Sequence, residues 1–238
     1  MDGIYASLSR QTGLMRELDV IAQNIANAGT TGYRAEGLIF AEHVKAGGGS
    51  APSLSLGHAS ARRTDWSQGG LEKTGGTYDL AIEGEGYFQI GGPDGPLLTR
   101  AGAFVADAEG ALVTQDGLPL LDAGGAPVAL PPGAGTLSIA PDGTLSVAGE
   151  PFGQLGVVRP DDPIGMTRVG MTRFAHDGAF EPVIEGRVMQ GYLEKSNTSA
   201  VLEIARMIEV QNAYGMGQSM LEREDERLRA MLRMMDKQ

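Results

Sequence analysis

The sequence of 238 residues contains no cysteine, which excludes disulfides, thiolate zinc sites and cysteine nucleophiles together. Aromatic residues are few, with six Phe, six Tyr and one Trp, so a large aromatic core is excluded. No apolar run reaches the roughly 18 residues that a membrane span requires, so we expect no direct membrane insertion. The N-terminus has neither a basic cluster nor a compact apolar run, which predicts that no secretory signal is cleaved from it.

Basic residues are also scarce, because 19 Lys and Arg stand against 30 Asp and Glu and leave a net charge of −11. The negative charge is concentrated in residues 46–193, which carry −9, whereas residues 1–45 and 194–238 each carry −1. Nucleic acids and anionic membrane surfaces both attract fields of Lys and Arg. An acidic chain therefore argues against nucleic acid as a partner.

Proline is absent from both ends of the chain, since all 12 Pro lie within residues 46–193. Pro breaks helices and Gly weakens them, so long helices are possible only at the ends. The centre carries Asp-Gly pairs at 94–95, 116–117, 142–143 and 177–178, and such pairs favour hairpin turns. We predict a β-rich middle without an internal repeat. Its predicted core residues are Ile82, Tyr87, Phe88, Phe104, Leu112 and Val113.

The N-terminal helix is predicted over residues 4–27, where apolar side chains recur at alternating steps of four and three. It should stop at Asn27-Ala28-Gly29, because Gly readily adopts the left-handed conformation that follows a helix. The candidate interface residues on this helix are Leu8, Met15, Leu18, Ile21 and Ile25.

The C-terminal helix is predicted to follow Ser199 as its N-cap, with an apolar or aromatic residue at every seventh position. Gly215 and Gly217 lie inside it, each unfavourable by about 1 kcal/mol relative to Ala, so the helix needs neighbours. Polar residues at some seam positions can restrict register and partner. The candidate interface residues on this helix are Ile204, Met207, Gln211, Tyr214, Gln218, Leu221, Asp225, Leu228, Leu232 and Met235.

The periodic apolar residues of the two predicted helices allow two interpretations. The helices pack on each other and on a core within one chain, or they are assembly elements that join several copies. The position of one helix at each extreme end favours the second interpretation.

Residues with the spacing of a catalytic or ligand site are not evident. His43, His58 and His176 have no partner at metal-ligand spacing, and Asp161 and Asp162 precede Pro163 as in a solvated turn. The Gly84-Glu85-Gly86 run lacks the third Gly of a dinucleotide loop and is interpreted as a tight turn. We therefore predict no catalytic residues, no cofactor and no metal.

Three blocks of sequence carry a resemblance. Residues 18–27 are LDVIAQNIAN and residues 30–34 are TTGYR. In the middle, residues 71–75 are LEKTG, residues 79–88 are DLAIEGEGYF and residues 99–104 are TRAGAF. Near the end, residues 191–197 are GYLEKSN and residues 207–214 are MIEVQNAY. In this order, and over nearly the whole chain, the blocks closely resemble the bacterial flagellar rod and hook proteins.

This resemblance implies a structural protein of the flagellar basal body rather than an enzyme. Members of the family are exported by the flagellar type III apparatus without a cleaved signal peptide, and they polymerise with themselves and with neighbouring rod proteins. The polymer is the rod, the drive shaft that crosses the periplasm and transmits torque. The length and the opening IYASLSRQ at residues 4–11 are most similar to the proximal rod proteins, with the distal rod and other hook or rod axial proteins as the alternative.

The implied fold class is α+β, with long N- and C-terminal helices forming a coiled-coil-like rod core and a Gly/Pro-rich all-β middle domain. The predicted domains are residues 1–35 (N-terminal helix and turn), 36–78 (extended or β-like linker), 79–193 (β-rich outer domain) and 194–238 (C-terminal helix). Two remoter alternatives stay open from the residues alone. One is an enzyme or sugar-binding β domain with a helical stalk, and the other is a coiled-coil oligomer unrelated to flagella.

Overall fold

The computed structural model describes residues 2–45, 54–131, 135–162, 165–183 and 186–235. It has one helix at each end of the chain, α1 Asp2–Ala26 and α2 Ala200–Met235, and a largely β middle. The strands in chain order are β1 Glu36–Lys45, β2 Leu54–Thr64, β3 Leu71–Lys73, β4 Leu80–Glu83, β5 Tyr87–Gly92, β6 Gly95–Thr99, β7 Val105–Ala106, β8 Leu112–Val113, β9 Leu137–Ile139, β10 Thr144–Val147, β11 Glu150–Gln154, β12 Val157–Pro160, β13 Thr167–Arg168, β14 Arg173–Ala175, β15 Phe180–Pro182, β16 Arg187–Gln190 and β17 Tyr192–Glu194.

The chain forms two compact units. The first unit contains residues 1–26, 35–65 and 199–238, and the second unit contains residues 27–34 and 66–198. Between β1 and β2, the predicted linker includes residues 46–53, which lie outside the described residues.

The first unit consists of α1, α2 and an antiparallel hairpin of β1 and β2. The hairpin register pairs Glu36 with Thr64 and shifts once, between Ile39 and Phe40. Helix α1 packs against α2 and also against both strands of the hairpin. A two-stranded hairpin is marginally stable in water, so this packing on α1 supplies support that the pair of strands lacks.

The predicted coiled-coil-like rod core is wrong. In a coiled coil, one narrow apolar seam of each helix faces the other helix. Helix α1 instead divides its buried surface between α2 and the β1–β2 hairpin. Two of its predicted seam residues, Leu8 and Met15, are 48% and 51% exposed. The helices are long, but they belong to a mixed helix and hairpin unit.

The second unit is built around a six-stranded antiparallel sheet in the order β13-β14-β6-β5-β12-β15, with a three-stranded sheet β11-β10-β9. Two-stranded pairs β16–β4, β17–β3 and β7–β8 complete it. The predicted core residues Ile82, Phe88, Phe104 and Leu112 are buried in one cluster, as predicted. Val113 is also buried, and Tyr87 is buried in a second cluster with Leu98, Val158 and Phe174.

Three of the four Asp-Gly pairs are turns between paired strands or bridged residues, as predicted. The fourth pair, at 177–178, lies between β14 and β15, which do not pair with each other. The sequence has no clean internal repeat, but one turn recurs in the structure. Residues 114–121 (TQDGLPLL) and 122–129 (DAGGAPVA) form equivalent turns and bridges. The buried residues Leu112, Leu120 and Val128 close a ring of three backbone hydrogen bonds of 2.8–2.9 Å.

Candidate assembly surface

The two terminal helices run antiparallel in the first unit, because contacts move back along α2 as they advance along α1. Gln11 Nε2 donates to the Tyr214 carbonyl oxygen at 3.0 Å. Further along α1, Glu17 pairs with Arg206 at 2.8 Å. Asn24 lies opposite Glu203, with 3.3 Å between Nδ2 and Oε1.

Buried and half-buried residues recur on the face of α2 that is turned to α1, with alternating steps of four and three, as predicted. Only some of them are the predicted residues. The predicted positions Met207, Tyr214 and Leu221 are half buried. The positions that alternate with these three lie one residue earlier than predicted. They are the partly or fully buried residues Glu203, Val210, Gly217 and Glu224. A Cβ atom at Gly217 would overlap the Gln11 amide, so this Gly leaves room for the Gln11 side chain to reach the α2 backbone.

The predicted interface residues therefore separate into two groups. Within the first unit, the buried or half-buried group is Leu18, Ile21, Ile25, Met207, Tyr214 and Leu221. The exposed group is Leu8, Met15, Ile204, Gln211, Gln218, Asp225 and Leu232. The side chains of Leu228 and Met235 lie outside the described residues.

Exposed apolar side chains are concentrated on the two helices. Eleven of the fifteen exposed large apolar residues in the described part of the chain lie on α1 or α2, so the helices are where burial is least complete. With 3.6 residues per turn, Val201, Ile208 and Met216 project from the side of α2 opposite the stripe that faces α1. The eleven residues are Leu8, Met15, Val201, Leu202, Ile204, Ile208, Met216, Met220, Met231, Leu232 and Met234.

The last part of α2 extends beyond α1. Since Gln11 lies opposite Tyr214 in an antiparallel pair, the start of α1 falls opposite about residue 224. The remaining 11 or so residues of α2 span roughly 16 Å at 1.5 Å per residue. Every described side chain from Asp225 to Met234 is exposed, including Met231, Leu232 and Met234. This overhang lacks cover from α1.

Sequence reasoning missed Asn24, which joins three elements of the first unit. Its Nδ2 donates to the Glu36 carbonyl oxygen at 2.8 Å, and its Oδ1 accepts from the Glu36 amide at 3.0 Å. The Asn24 side chain thus pairs with the backbone of β1 much as a neighbouring strand would. Asn24 stands within the LDVIAQNIAN block, but the block does not reveal which backbone it contacts.

Sequence reasoning also missed a buried ionic cluster in the second unit. Glu194 is fully buried and accepts from Arg34 Nη1 at 2.5 Å and from Arg100 Nη1 at 3.1 Å. Arg100 also donates to the carbonyl oxygens of Ile82 and Gly84. Burial lowers the pKa of the Arg100 guanidinium, and the Glu194 carboxylate opposes that shift.

The described residues contain no group of three His, Asp or Glu side chains placed to bind a metal ion. No helix of the described chain is long and apolar enough to cross a membrane. An opening of about 600 Å³ in the second unit is lined mainly by Thr and small side chains, with Asp116 and Arg173 paired at 2.7 Å on one side. The helix surface therefore remains the strongest candidate for function.

Three parts of the chain match family models. Residues 4–34 match the family described as flagella basal body rod protein, and residues 81–147 match the flagellar hook protein FlgE/F/G D1 domain. Residues 189–234 match the flagellar basal body rod FlgEFG protein C-terminal family. The flagellar basal-body rod protein FlgF of Caulobacter vibrioides is 41% identical over 90% of this chain and 89% of its own length. The chain belongs to the flagellar basal-body rod protein family.

Other relatives of this rod protein agree. FlgF of Mesorhizobium japonicum is 37% identical over 90% of the chain and 89% of its own length. The rod protein FlgG of Bacillus subtilis is 30% identical over 96% of the chain and 97% of its own length. These relatives are structural proteins of the flagellar basal body, so the chain is a structural rod protein and not an enzyme.

Proposed function

We propose that this rod protein is a subunit of the proximal rod, and that it docks on neighbouring rod subunits through the exposed apolar face and the overhang of α2. The proximal assignment is supported by identities of 36–41% to three FlgF proteins, against 30–34% to the FlgG proteins. The distal rod is the alternative.

The observation that carries the proposal is the exposure of α2. Val201, Leu202 and Met216 are at least 69% exposed, and they lie on a helix whose opposite face is already packed on α1. Large apolar surfaces left exposed on a soluble chain mark interaction sites. Burying one Leu, Ile, Val or Met side chain is favourable by roughly 1.5–3 kcal/mol, so a few such residues would hold a neighbour.

The place of assembly follows from the family. A subunit of the rod must cross the inner membrane to reach the periplasm, and we propose that the flagellar type III apparatus exports it without cleaving a signal peptide. The absence of Cys prevents stray disulfides in an oxidising compartment. Once polymerised through α1 and α2, the subunit would transmit torque as part of the drive shaft.

The test replaces an exposed residue of the α2 face with a charged one. Ile208 is 54% exposed on the side away from α1, so Ile208→Glu should leave the folded monomer unchanged. In the assembled rod it would bury an unpaired carboxylate, which is unfavourable by several kcal/mol. We expect cells that carry only this variant to export it but to build no complete rod and to lose motility. Leu232→Glu in the overhang should behave alike.

The matched control is Val105→Glu, which makes a similar change at a 46% exposed residue of the second unit. Cells with this control should still swim. Leu221 is a poorer choice for the test, because it is half buried in the stripe turned to α1 and a charge there would disturb the first unit itself. Normal swimming of the Ile208→Glu and Leu232→Glu cells would contradict the proposed function.

A further inference from the structure

The buried ionic cluster of the second unit joins residues that are far apart in the sequence. Glu194 Oε1 accepts from Arg34 Nη1 at 2.5 Å and from the Gly69 amide at 3.0 Å, while Oε2 accepts from Arg100. Arg34 and Glu194 are separated by 160 positions in the chain. We call Arg34, Gly69, Arg100 and Glu194 the clasp.

Backbone contacts hold the same segments together around the clasp. The Gly32 amide donates to the Glu194 carbonyl oxygen at 2.8 Å, and the Asn197 amide donates to the Tyr33 carbonyl oxygen at 3.3 Å. The Lys195 amide donates to the Gly70 carbonyl oxygen at 2.8 Å. A Cβ atom at residue 69 would overlap the Lys195 carbonyl group, so this crossing requires Gly.

Clasp residues lie within four positions of three of the four points at which the chain enters or leaves the second unit. The four points are residues 27, 34, 66 and 198. Arg34 is itself one of them, Gly69 is three residues from another, and Glu194 is four residues from the last. The segment from 27 to 34 follows α1 and precedes β1, and the segment ending at 198 precedes α2. One buried carboxylate therefore holds together the points at which the chain enters the hairpin, leaves it and continues towards α2.

A buried ion pair is a weak source of net stability, because desolvation of the charges offsets their attraction. Apolar residues of similar volume often stabilise as well or better. The charged cluster adds a defined geometry, because a guanidinium and a carboxylate pair only in a fixed relative orientation. A role in positioning the chain segments therefore explains the charged residues of the clasp better than a role in stabilising the second unit does.

We propose that Glu194 is a positioning residue for rod assembly, fixing the points in the second unit at which the chain meets the hairpin and continues towards α2. This inference rests on the proposed function, since it assumes that the helices are the assembly elements. It predicts that loosening the clasp impairs assembly even in a chain whose second unit is fully folded.

The test compares Glu194→Gln with the double variant Arg34→Met with Glu194→Gln in the full chain. Glu194→Gln leaves two buried arginines without their carboxylate, so the second unit should unfold at a lower temperature. Trp66, the chain's single Trp, packs on Phe174 of this unit and reports its unfolding by fluorescence. The double variant restores the original net charge of the cluster and leaves Arg100 bound to the carbonyl oxygens of Ile82 and Gly84, so its unfolding temperature should return part of the way to that of the unaltered chain.

Hydrogen exchange and motility separate positioning from stability. In the double variant the Gly32 amide should still exchange about 10- to 100-fold faster than in the unaltered chain, while the Leu98 and Ile90 amides exchange as before. Cells that carry the double variant should still fail to build rods. The matched control is Glu72→Gln, which removes the exposed pair with Lys195, the residue that follows β17, and it should change neither exchange nor motility.

Three results would overturn the inference: motility that recovers together with stability in the double variant, a double variant as unstable as the single one, or normal rods with Glu194→Gln. The proposed function fails separately, if Ile208→Glu cells swim. If Ile208→Glu blocks assembly and the clasp variants do not, only the role of Glu194 is wrong.

Discussion

Replacing Phe88 with Ala should lower the free energy of unfolding of the second unit by about 3–5 kcal/mol. Phe88 is fully buried on the central strand β5, and its ring meets that of Phe104 edge-on with 5.7 Å between centroids. Ala would remove both the apolar contacts and this ring pair, and it would leave a cavity among rigidly packed neighbours. Urea unfolding followed by Trp66 fluorescence measures the effect in the full chain.

The control is Phe152→Ala, which makes the same chemical change at a half-buried residue packed on the edge of the same core. Its effect should be clearly smaller. The helical signal in circular dichroism, which comes from α1 and α2 of the first unit, should change little in either variant. An unchanged urea midpoint for Phe88→Ala would show that the core of the second unit is not centred on this residue.

Replacing Asn24 with Ala should destabilise the first unit by about 2–4 kcal/mol. The change leaves the buried amide and carbonyl of Glu36 without their side-chain partners, and each unsatisfied buried group is unfavourable by about 1–3 kcal/mol. Ala is a better helix former than Asn by a few tenths of a kcal/mol, which offsets a small part of the loss. Circular dichroism of the helices during thermal unfolding measures the effect.

Asn212→Ala provides the matched control, because Asn212 is exposed on α2 and the same gain in helix propensity applies there. This control should be neutral or slightly stabilising. Equal unfolding temperatures for the Asn24 and Asn212 variants would mean that the pairing of Asn24 with β1 contributes nothing to stability.

The sequence predicted the features that depend on local chemistry. Proline-free ends with periodic apolar residues indicated α1, which ends at Ala26, one residue before the predicted Asn27. Ser199 was predicted as the N-cap of α2, and its carbonyl oxygen accepts from the Glu203 amide in the first turn. The buried residues Phe88, Phe104 and Leu112 were recognisable because they lie in short apolar runs beside Gly turns.

The packing of the helices was not predictable from periodicity. The companion positions of the α2 stripe are Glu203, Val210, Gly217 and Glu224, of which only Val210 is a typical core residue. Gly217 is there because the Gln11 side chain reaches the α2 backbone, and Glu203 because it meets Asn24. The apolar pattern therefore favoured the positions one residue later, which include Ile204 and Leu232. The structure shows that these side chains are exposed.

The clasp was not predictable from the sequence for a different reason. Arg34 and Glu194 both lie in blocks that carried the family resemblance, but a pair separated by 160 positions leaves no periodic signal. A buried carboxylate with two arginines becomes visible only when the fold brings the segments together. For the same reason the sharing of α1 between α2 and the hairpin, which rules out a coiled coil, could not be read from a heptad pattern.

Docking through α2 is tested by site-specific cross-linking in purified basal bodies, and the absence of Cys from this chain lets a single introduced Cys carry the probe. Met216 is 69% exposed on the α2 face that we assign to docking, and Met216→Cys would carry a photoreactive maleimide. We expect irradiation to join this chain to neighbouring rod subunits from position 216, and the same probe at Val105→Cys to give far fewer such products. Basal bodies that contain the chain but yield no cross-link to a rod subunit from position 216 would contradict docking through α2.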